Sequence, residues 1–237
     1  MSGHSKWSNI KRKKEANDKI RGNIFGKLNH LITLSVVEGG GNTDPDNNVK
    51  LRLAIEKAHA SNMPKENIKR AIEKGVGPDK NQIKEIIYEG FGPYGVSLII
   101  LAATDNQNRT LSEIRNILEK HQGKLGNSGS VSYQFQKCGL IVFDESQVDQ
   151  DKILMISDQL KAFDIIETED RYYLYFPYEH LGHIKNFLKD VRYESAEVDF
   201  KPQTIMPFTD DEKIKKISEL IDLLEASDDI QKVFTNL

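Results

Sequence analysis

The chain has one cysteine and one tryptophan in 237 residues. A lone Cys138 can form neither an intramolecular disulfide nor a cysteine-based zinc cluster, and it suits a reducing cytoplasm. Apolar runs such as Val96 to Ala103 fall far short of the roughly 20 residues a membrane-spanning helix needs. The opening MSGHSKWSNIKRKK is basic but has none of the apolar stretch of a signal peptide. The G-x-S-x-G elbow, the H-E-x-x-H pair and the Walker A loop are all missing. Nothing in the chain therefore argues for an enzyme, and no cofactor or metal is expected. Hydrophobic content of 38% with 29% charged residues indicates a folded, soluble protein rather than a disordered or fibrous one. The length allows one or two ordinary domains, or three small ones.

Charge is unevenly distributed. Residues 1–80 carry 16 Lys+Arg against 9 Asp+Glu, whereas 81–237 carry 17 against 27. Such asymmetry suggests a basic module aimed at a polyanion. A solvated basic surface is the plain alternative.

The apolar period divides the chain into three regions. Residues 20–75 read as three helices. The first carries Ile20, Ile24, Leu28, Leu31 and Ile32 and is stopped by Gly39-Gly40-Gly41. The second carries Leu51, Ile55 and Ala58, and the third opens at Pro64 and ends near Gly75. Residues 1–19 look like a polar, basic arm. After Gly77-Pro78, Ile86 to Glu89 and Val96 to Ala103 read as a hairpin. A helix opened by Thr110 with Glu113 in capping-box spacing follows, then GKLGNSGS and a strand at Val131 to Phe135. Residues 138–200 read βαββαβ, the ferredoxin-like split βαβ order. A last helix, opened by Thr209 with Glu212, and a strand at Gln231 to Phe234 can complete the earlier sheet. The expectation is an α+β protein with a helical N-terminal domain and two ferredoxin-like α/β sandwich domains, the middle one discontinuous. Its domains would be 1–80, then 81–136 with 203–237, then 137–202.

Several local patterns lose their chemical reading in context. Gly90-Phe-Gly92-Pro-Tyr-Gly95 spells G-x-G-x-x-G, but the segment after it is a strand, so it is a hairpin turn rather than a dinucleotide site. His180 and His183 sit three apart on an amphipathic stretch that already explains them. The basic arm is the stronger signal. Lys6, Lys11, Arg12, Lys13 and Lys14 surround Trp7, with His4 before them and Arg21 beyond. Such cations gain affinity for nucleic acid by releasing counterions from phosphates. The Trp7 ring can stack on a base or anchor the arm to the body. Lys65, Lys69, Arg70 and Lys74 add charge on the third helix, partly offset by the i,i+4 pairs Glu66–Arg70 and Lys69–Glu73. Asn106, Asn108 and Arg109 precede a helix, where they can make its cap or receive a phosphate.

Taken together, these residues resemble a known family. Gly3-His4-Ser5-Lys6-Trp7 with Asn9-Ile10-Lys11 is similar to the opening of YebC-type proteins. So are Glu38 to Gly41, Leu51 to Ile55, Asn62-Met63-Pro64-Lys65, Tyr88-Glu89-Gly90, Asp105 to Thr110 and Gly129-Ser130-Val131. Gln122 and Asn127-Ser128 depart from the common pattern and weaken any binding role for the 123–130 loop. The resemblance implies a three-domain protein and a probable transcriptional regulator that binds DNA in the cytoplasm. It also implies an alternative, because mitochondrial relatives, including the translational activator of cytochrome c oxidase, and some bacterial ones are linked to translation on the ribosome, particularly of proline-rich stretches. Because the family motif begins at Gly3, no organellar presequence is expected, and the expectation is a bacterial cytoplasmic protein. Nucleic acid is the expected partner, with the ribosome in the alternative and no membrane.

Overall fold

The computed structural model describes residues 18–78, 83–188 and 191–237. The chain forms two compact units, residues 1–135 with 202–237 and residues 136–201.

The first unit begins with three helices, α1 (Asp18–Glu38), α2 (Val49–Ala60) and α3 (Lys65–Val76). Helical spacing puts Leu28, Ile32 and Val36 of α1 on one face, where they meet Leu51, Ala54 and Ala58 of α2 and Ile68 and Ala71 of α3. Burying a side chain the size of Ile32 or Leu51 contributes roughly 1.5–3 kcal/mol. The glycine triplet ends α1 in a Schellman turn. Gly40 and Gly41 adopt φ of 69° and 86°, and the Gly41 N–H donates to the Val36 carbonyl at 2.9 Å. Asn48 caps α2 by accepting from the Leu51 N–H at 3.1 Å, and its amide donates back to the Ser35 carbonyl. On α3, Gly75 lets the backbones approach, because a Cβ there would stand 2.6 Å from Val36 Cβ.

The sheet of this unit starts with the expected hairpin, β1 (Lys84–Phe91) and β2 (Ser97–Thr104), in continuous antiparallel register. Its turn holds Tyr94 at φ 62° before Gly95 at φ 80°, a tight bend with no helix behind it. Helix α4 (Gln107–Lys120) follows, then β3 (Lys124–Leu125) on the outer edge of β1. The chain returns from 202 to supply α7 (Asp211–Glu225) and β8 (Ile230–Thr235), giving the strand order β3-β1-β2-β8. Helices α4 and α7 cover one face through Ile114, Leu118, Ile217, Leu220 and Leu224 against Leu98, Ile100 and Ala102. Leu34 and Val37 of α1 pack with Ile83 and with Ala103 of β2.

The second unit contains β4 (Phe135–Asp144), α5 (Gln150–Leu160), β5 (Asp164–Glu167), β6 (Arg171–Pro177), α6 (Ile184–Leu188) and β7 (Ser195–Pro202). Its order, β5-β6-β4-β7, is the ferredoxin-like one. Cys138 is a buried strand residue of this sheet. His180 Nδ1 lies 2.8 Å from the Leu160 carbonyl, as an ordinary tie between elements.

Four local expectations are corrected. The N-cap of α4 is Asn106, which accepts from the Arg109 N–H at 3.1 Å. Thr110 lies inside the helix and is buried, its hydroxyl committed to a carboxylate elsewhere. Asp210, not Thr209, caps α7 and accepts from the Glu212 N–H at 2.9 Å. The segment from Leu181 to Leu188 begins as a 3-10 turn and becomes α-helical only at Ile184. Finally, Val131 to Gln134 is a turn rather than a strand.

That last difference has a clear cause. Glu89 of β1 is buried, and its carboxylate accepts from the backbone N–H groups of Gly129, Val131 and Ser132 at 2.8, 2.7 and 2.9 Å. These donors close the loop onto a side chain and are lost to a sheet ladder. Burial alone would raise the Glu89 carboxyl, but the three N–H donors outweigh it and hold the group below its ordinary range. Its stabilisation is therefore complete above about pH 4.3, the unfolded glutamate value, and is lost as pH falls through the depressed folded value. Glu89→Gln should lower stability by about 2 kcal/mol at neutral pH. Denaturant titrations should show the gap to the parent closing in acid, and a gap that persists there would contradict this role.

Candidate nucleic-acid interface

Helix α3 has two sharply different faces. Ile68, Ala71 and Gly75 are buried, while Lys65, Lys69, Arg70 and Lys74 are all exposed. Pro64 starts the helix in an extended conformation, and the inward stripe at i, i+3 and i+7 leaves the cations no place but the outside. Lys69 Nζ lies 3.9 Å from Glu73, with both side chains more than half exposed, so this pair holds the cation only weakly. Arg70 donates to the Asn67 amide oxygen at 3.2 Å rather than to Glu66, which corrects the expected i,i+4 pairing. On α2, Lys50 pairs with Glu38 of α1 at 2.5 Å.

The loop before α4 is arranged differently. It brings Asn106, Asn108 and Arg109 together, but as a structural junction. Asn106 spends its acceptor on the helix cap, and the Asn108 carbonyl accepts from the Ser112 hydroxyl at 2.8 Å. Arg109 donates to both carboxylate oxygens of Asp229 at 3.1 and 2.8 Å and to Asp105 at 3.0 Å. Two carboxylates thus stand where an incoming phosphate would have to sit. The open phosphate cradle the sequence allowed is replaced by an internal ion pair. The N–H groups of the 129–132 loop are likewise filled, by Glu89.

Asp229 is the residue that local sequence could not reveal. It is buried, its carboxylate also accepts from the Thr110 hydroxyl at 2.7 Å, and Thr104 lies 3.3 Å away. His30 Nδ1 of α1 faces it at 3.8 Å. The backbone joins in, since the Asp229 carbonyl accepts from the Ala103 N–H at 2.8 Å. Asn23 of α1 donates to the Ala226 carbonyl, and Gly26 meets Asp228 so closely that a Cβ would stand 2.9 Å from it. Residues 23, 26 and 30 thus form a small, polar stripe on α1 that seats the helical module on the 226–229 turn. Burial would raise the Asp229 carboxyl. The Arg109 and Thr110 hydrogen bonds, with the charges of Arg109 and His30, bring it below the ordinary range, and Arg109 moves up correspondingly.

His4, Lys6, Trp7, Lys11, Arg12, Lys13 and Lys14 lie outside the described residues, and Arg21 falls in the first turn of α1. Among the described residues no group of three or more His, Cys, Asp or Glu could hold a metal ion. No described helix is long and apolar enough to cross a membrane.

A basic three-helix module seated on an antiparallel α/β sandwich, with a ferredoxin-like unit inserted in that sandwich, defines the class of protein. The family described as "TACO1/YebC protein N-terminal domain" matches residues 5–78, and "TACO1/YebC second and third domain" matches residues 83–237. The chain belongs to the TACO1/YebC family. It is 42% identical over 241 residues to a protein of Thermoanaerobacter pseudethanolicus, covering 100% of this chain and 97% of the relative. It is 43% identical over 242 residues to one of Geobacillus kaustophilus, with the same coverage. Both relatives are named probable transcriptional regulatory proteins. The crystal structure of a conserved hypothetical protein from Aquifex aeolicus is similar, with a TM-score of 0.84 at 39% identity, covering 92% of this chain and 90% of the other. The family and the relatives' names point to a regulatory protein rather than an enzyme.

The Arg109–Asp229 pair gives a direct test of the junction. Arg109→Met should cost about 2 kcal/mol at pH 7, less than a fully buried pair because the guanidinium is half exposed. Asp229 ionises lower folded than unfolded, so the carboxylate's contribution is complete above about pH 3.9 and disappears as pH falls through the folded value. Thermal melts should therefore show the loss shrinking towards pH 3. An equal loss at both pH values would mean that Arg109 acts by packing alone.

Proposed function

We propose that this chain is a non-enzymatic regulator that binds DNA through the basic face of its helical module. The observation that carries this reading is α3, whose exposed Lys65, Lys69, Arg70 and Lys74 oppose a buried seam. The arm residues His4, Lys6, Trp7, Lys11, Arg12, Lys13 and Lys14, with Arg21, extend the same charge along the sequence. The remainder of the chain does not compete for a polyanion. Residues 136–201 carry 8 Lys+Arg against 14 Asp+Glu, and like charge turns such a unit away from phosphate. In this reading the chain works as three domains, 1–80, 81–136 with 203–237, and 137–202, in the cytoplasm. The names of the bacterial relatives support control of transcription.

A second reading, a ribosome-associated RNA-binding translation factor, is favoured by one feature of the helices. Helices α2 and α3 both pack against α1, sharing its apolar face. A helix-turn-helix pair instead braces its recognition helix for a major groove. Contact through backbone charge suits RNA as well as DNA.

If about six phosphates are neutralised, log K for duplex DNA should fall against log salt with a slope of roughly −5. Replacing Lys65, Lys69 and Arg70 together by Gln should weaken binding across all sequences and flatten the slope by roughly 2 to 3. A slope near zero for the full chain would contradict nucleic-acid binding of this kind. Crosslinking in cells, with sequencing of bound DNA and bound RNA, separates the two readings. Enrichment confined to ribosomal RNA would remove the transcriptional one.

A further inference from the structure

Arg52 lies on α2 between the core residues Leu51 and Ala54, and only 9% of its surface is exposed. Its Nε is enclosed and, among the described residues, meets no hydrogen-bond acceptor. The contrast with the module's other cations is informative. Lys50 and Lys69 are exposed, and each has a carboxylate, Glu38 at 2.5 Å and Glu73 at 3.9 Å. The buried cation has none among the described residues, although burial is where a carboxylate matters most.

A guanidinium cannot relieve that cost by releasing its proton, because it stays charged throughout the physiological range. Left enclosed and uncompensated, it opposes folding, and an apolar side chain of similar size would serve the core better. Of the guanidinium nitrogens, Nε is the one enclosed without an acceptor, which leaves the Nη side for an incoming group. The planar fork matches two oxygens of one anion.

We propose that Arg52 is an anion-receiving residue of the helical module, completed by a backbone phosphate of the bound nucleic acid. This rests on the nucleic-acid reading above and adds to it a contact of a different kind. The lysines of α3 offer solvated charge, whereas Arg52 offers a desolvated, directional fork. A phosphodiester is the anion that a polyanionic partner brings, and one such contact fixes the depth and register of the helix on the strand.

The test compares Arg52→Met and Arg52→Lys in the full chain. Arg52→Met should melt at the parent temperature or above it, because an uncompensated charge has been removed. The same variant should bind duplex DNA or structured RNA about tenfold more weakly, with a salt slope flatter by about 1. Arg52→Lys keeps the charge without the fork and should fall between the two. Arg52→Met that melts lower and binds like the parent would overturn the proposal and make Arg52 a packing residue. The Arg52 Hη resonances, followed by NMR, provide a reading independent of nucleic acid. They should exchange rapidly in the free protein and shift with inorganic phosphate but not with chloride at matched ionic strength. Slow exchange before any anion is added would reveal an internal acceptor, and no phosphate shift would leave no receptor; either result overturns the proposal. If the parent binds no nucleic acid while the phosphate shift is present, the functional reading fails and the anion site stands.

Discussion

The buried carboxylate of Asp229 sits where the end of β2, the start of α4, the start of β8 and the middle of α1 converge. A carboxylate taken out of water must be met by donors, and here they come from distant parts of the chain: Arg109 at 2.8 Å and Thr110 at 2.7 Å, with His30 facing it from the helical module. Because Arg109 and Thr110 lie more than a hundred residues away in sequence, the group cannot be satisfied until the sheet has closed. Helix α1 in turn carries α2 and α3 on its apolar face. The position of the basic surface on the sandwich is set by the turn that holds Asp229, together with the packing of Leu34 and Val37 against Ile83 and Ala103. Glu89 repeats the device on a smaller scale, drawing the 129–132 loop onto β1 through three N–H donors.

This use of acidic groups explains why two glycine- and asparagine-rich loops are poor candidates for anion binding despite their composition. In both, the backbone or guanidinium donors that could receive a phosphate already face an internal carboxylate. The exposed cations of α3 and the enclosed Arg52 are different, since no buried carboxylate among the described residues neutralises them. The chain separates cations paired with a buried carboxylate, such as Arg109, from cations that have no such partner among the described residues.

Much of the architecture was legible because its signals are local. Period-3.6 stripes located α1, α2 and α3, the glycine triplet ended α1, and the strand that follows Gly95 distinguished a hairpin from a nucleotide loop. The βαββαβ order of 138–200 followed from alternating periods alone. The misplaced elements were those decided by partners distant in sequence. Val131 and Ser132 have strand-compatible side chains, but their N–H groups are claimed by Glu89, about forty residues earlier. Thr110 has the spacing of a cap, but Asp229 claims its hydroxyl across 119 residues. Glu89 did leave one trace, an acid set among the apolar residues of a strand. Asp229, in the polar turn after α7, left none. Arg52 falls within the family-like stretch Leu51 to Ile55, but nothing in LRLAI says whether an arginine turns inward.

The central claim is that a polyanion is met by the helical module while the inserted ferredoxin-like unit stays out of contact. Amide hydrogen exchange of the full chain, with and without a saturating duplex of arbitrary sequence at low salt, measures this most directly. The account predicts slowed exchange in residues 49–60 and 65–76 and unchanged exchange throughout 136–201. Protection centred on 136–201, with α2 and α3 unaffected, would contradict it.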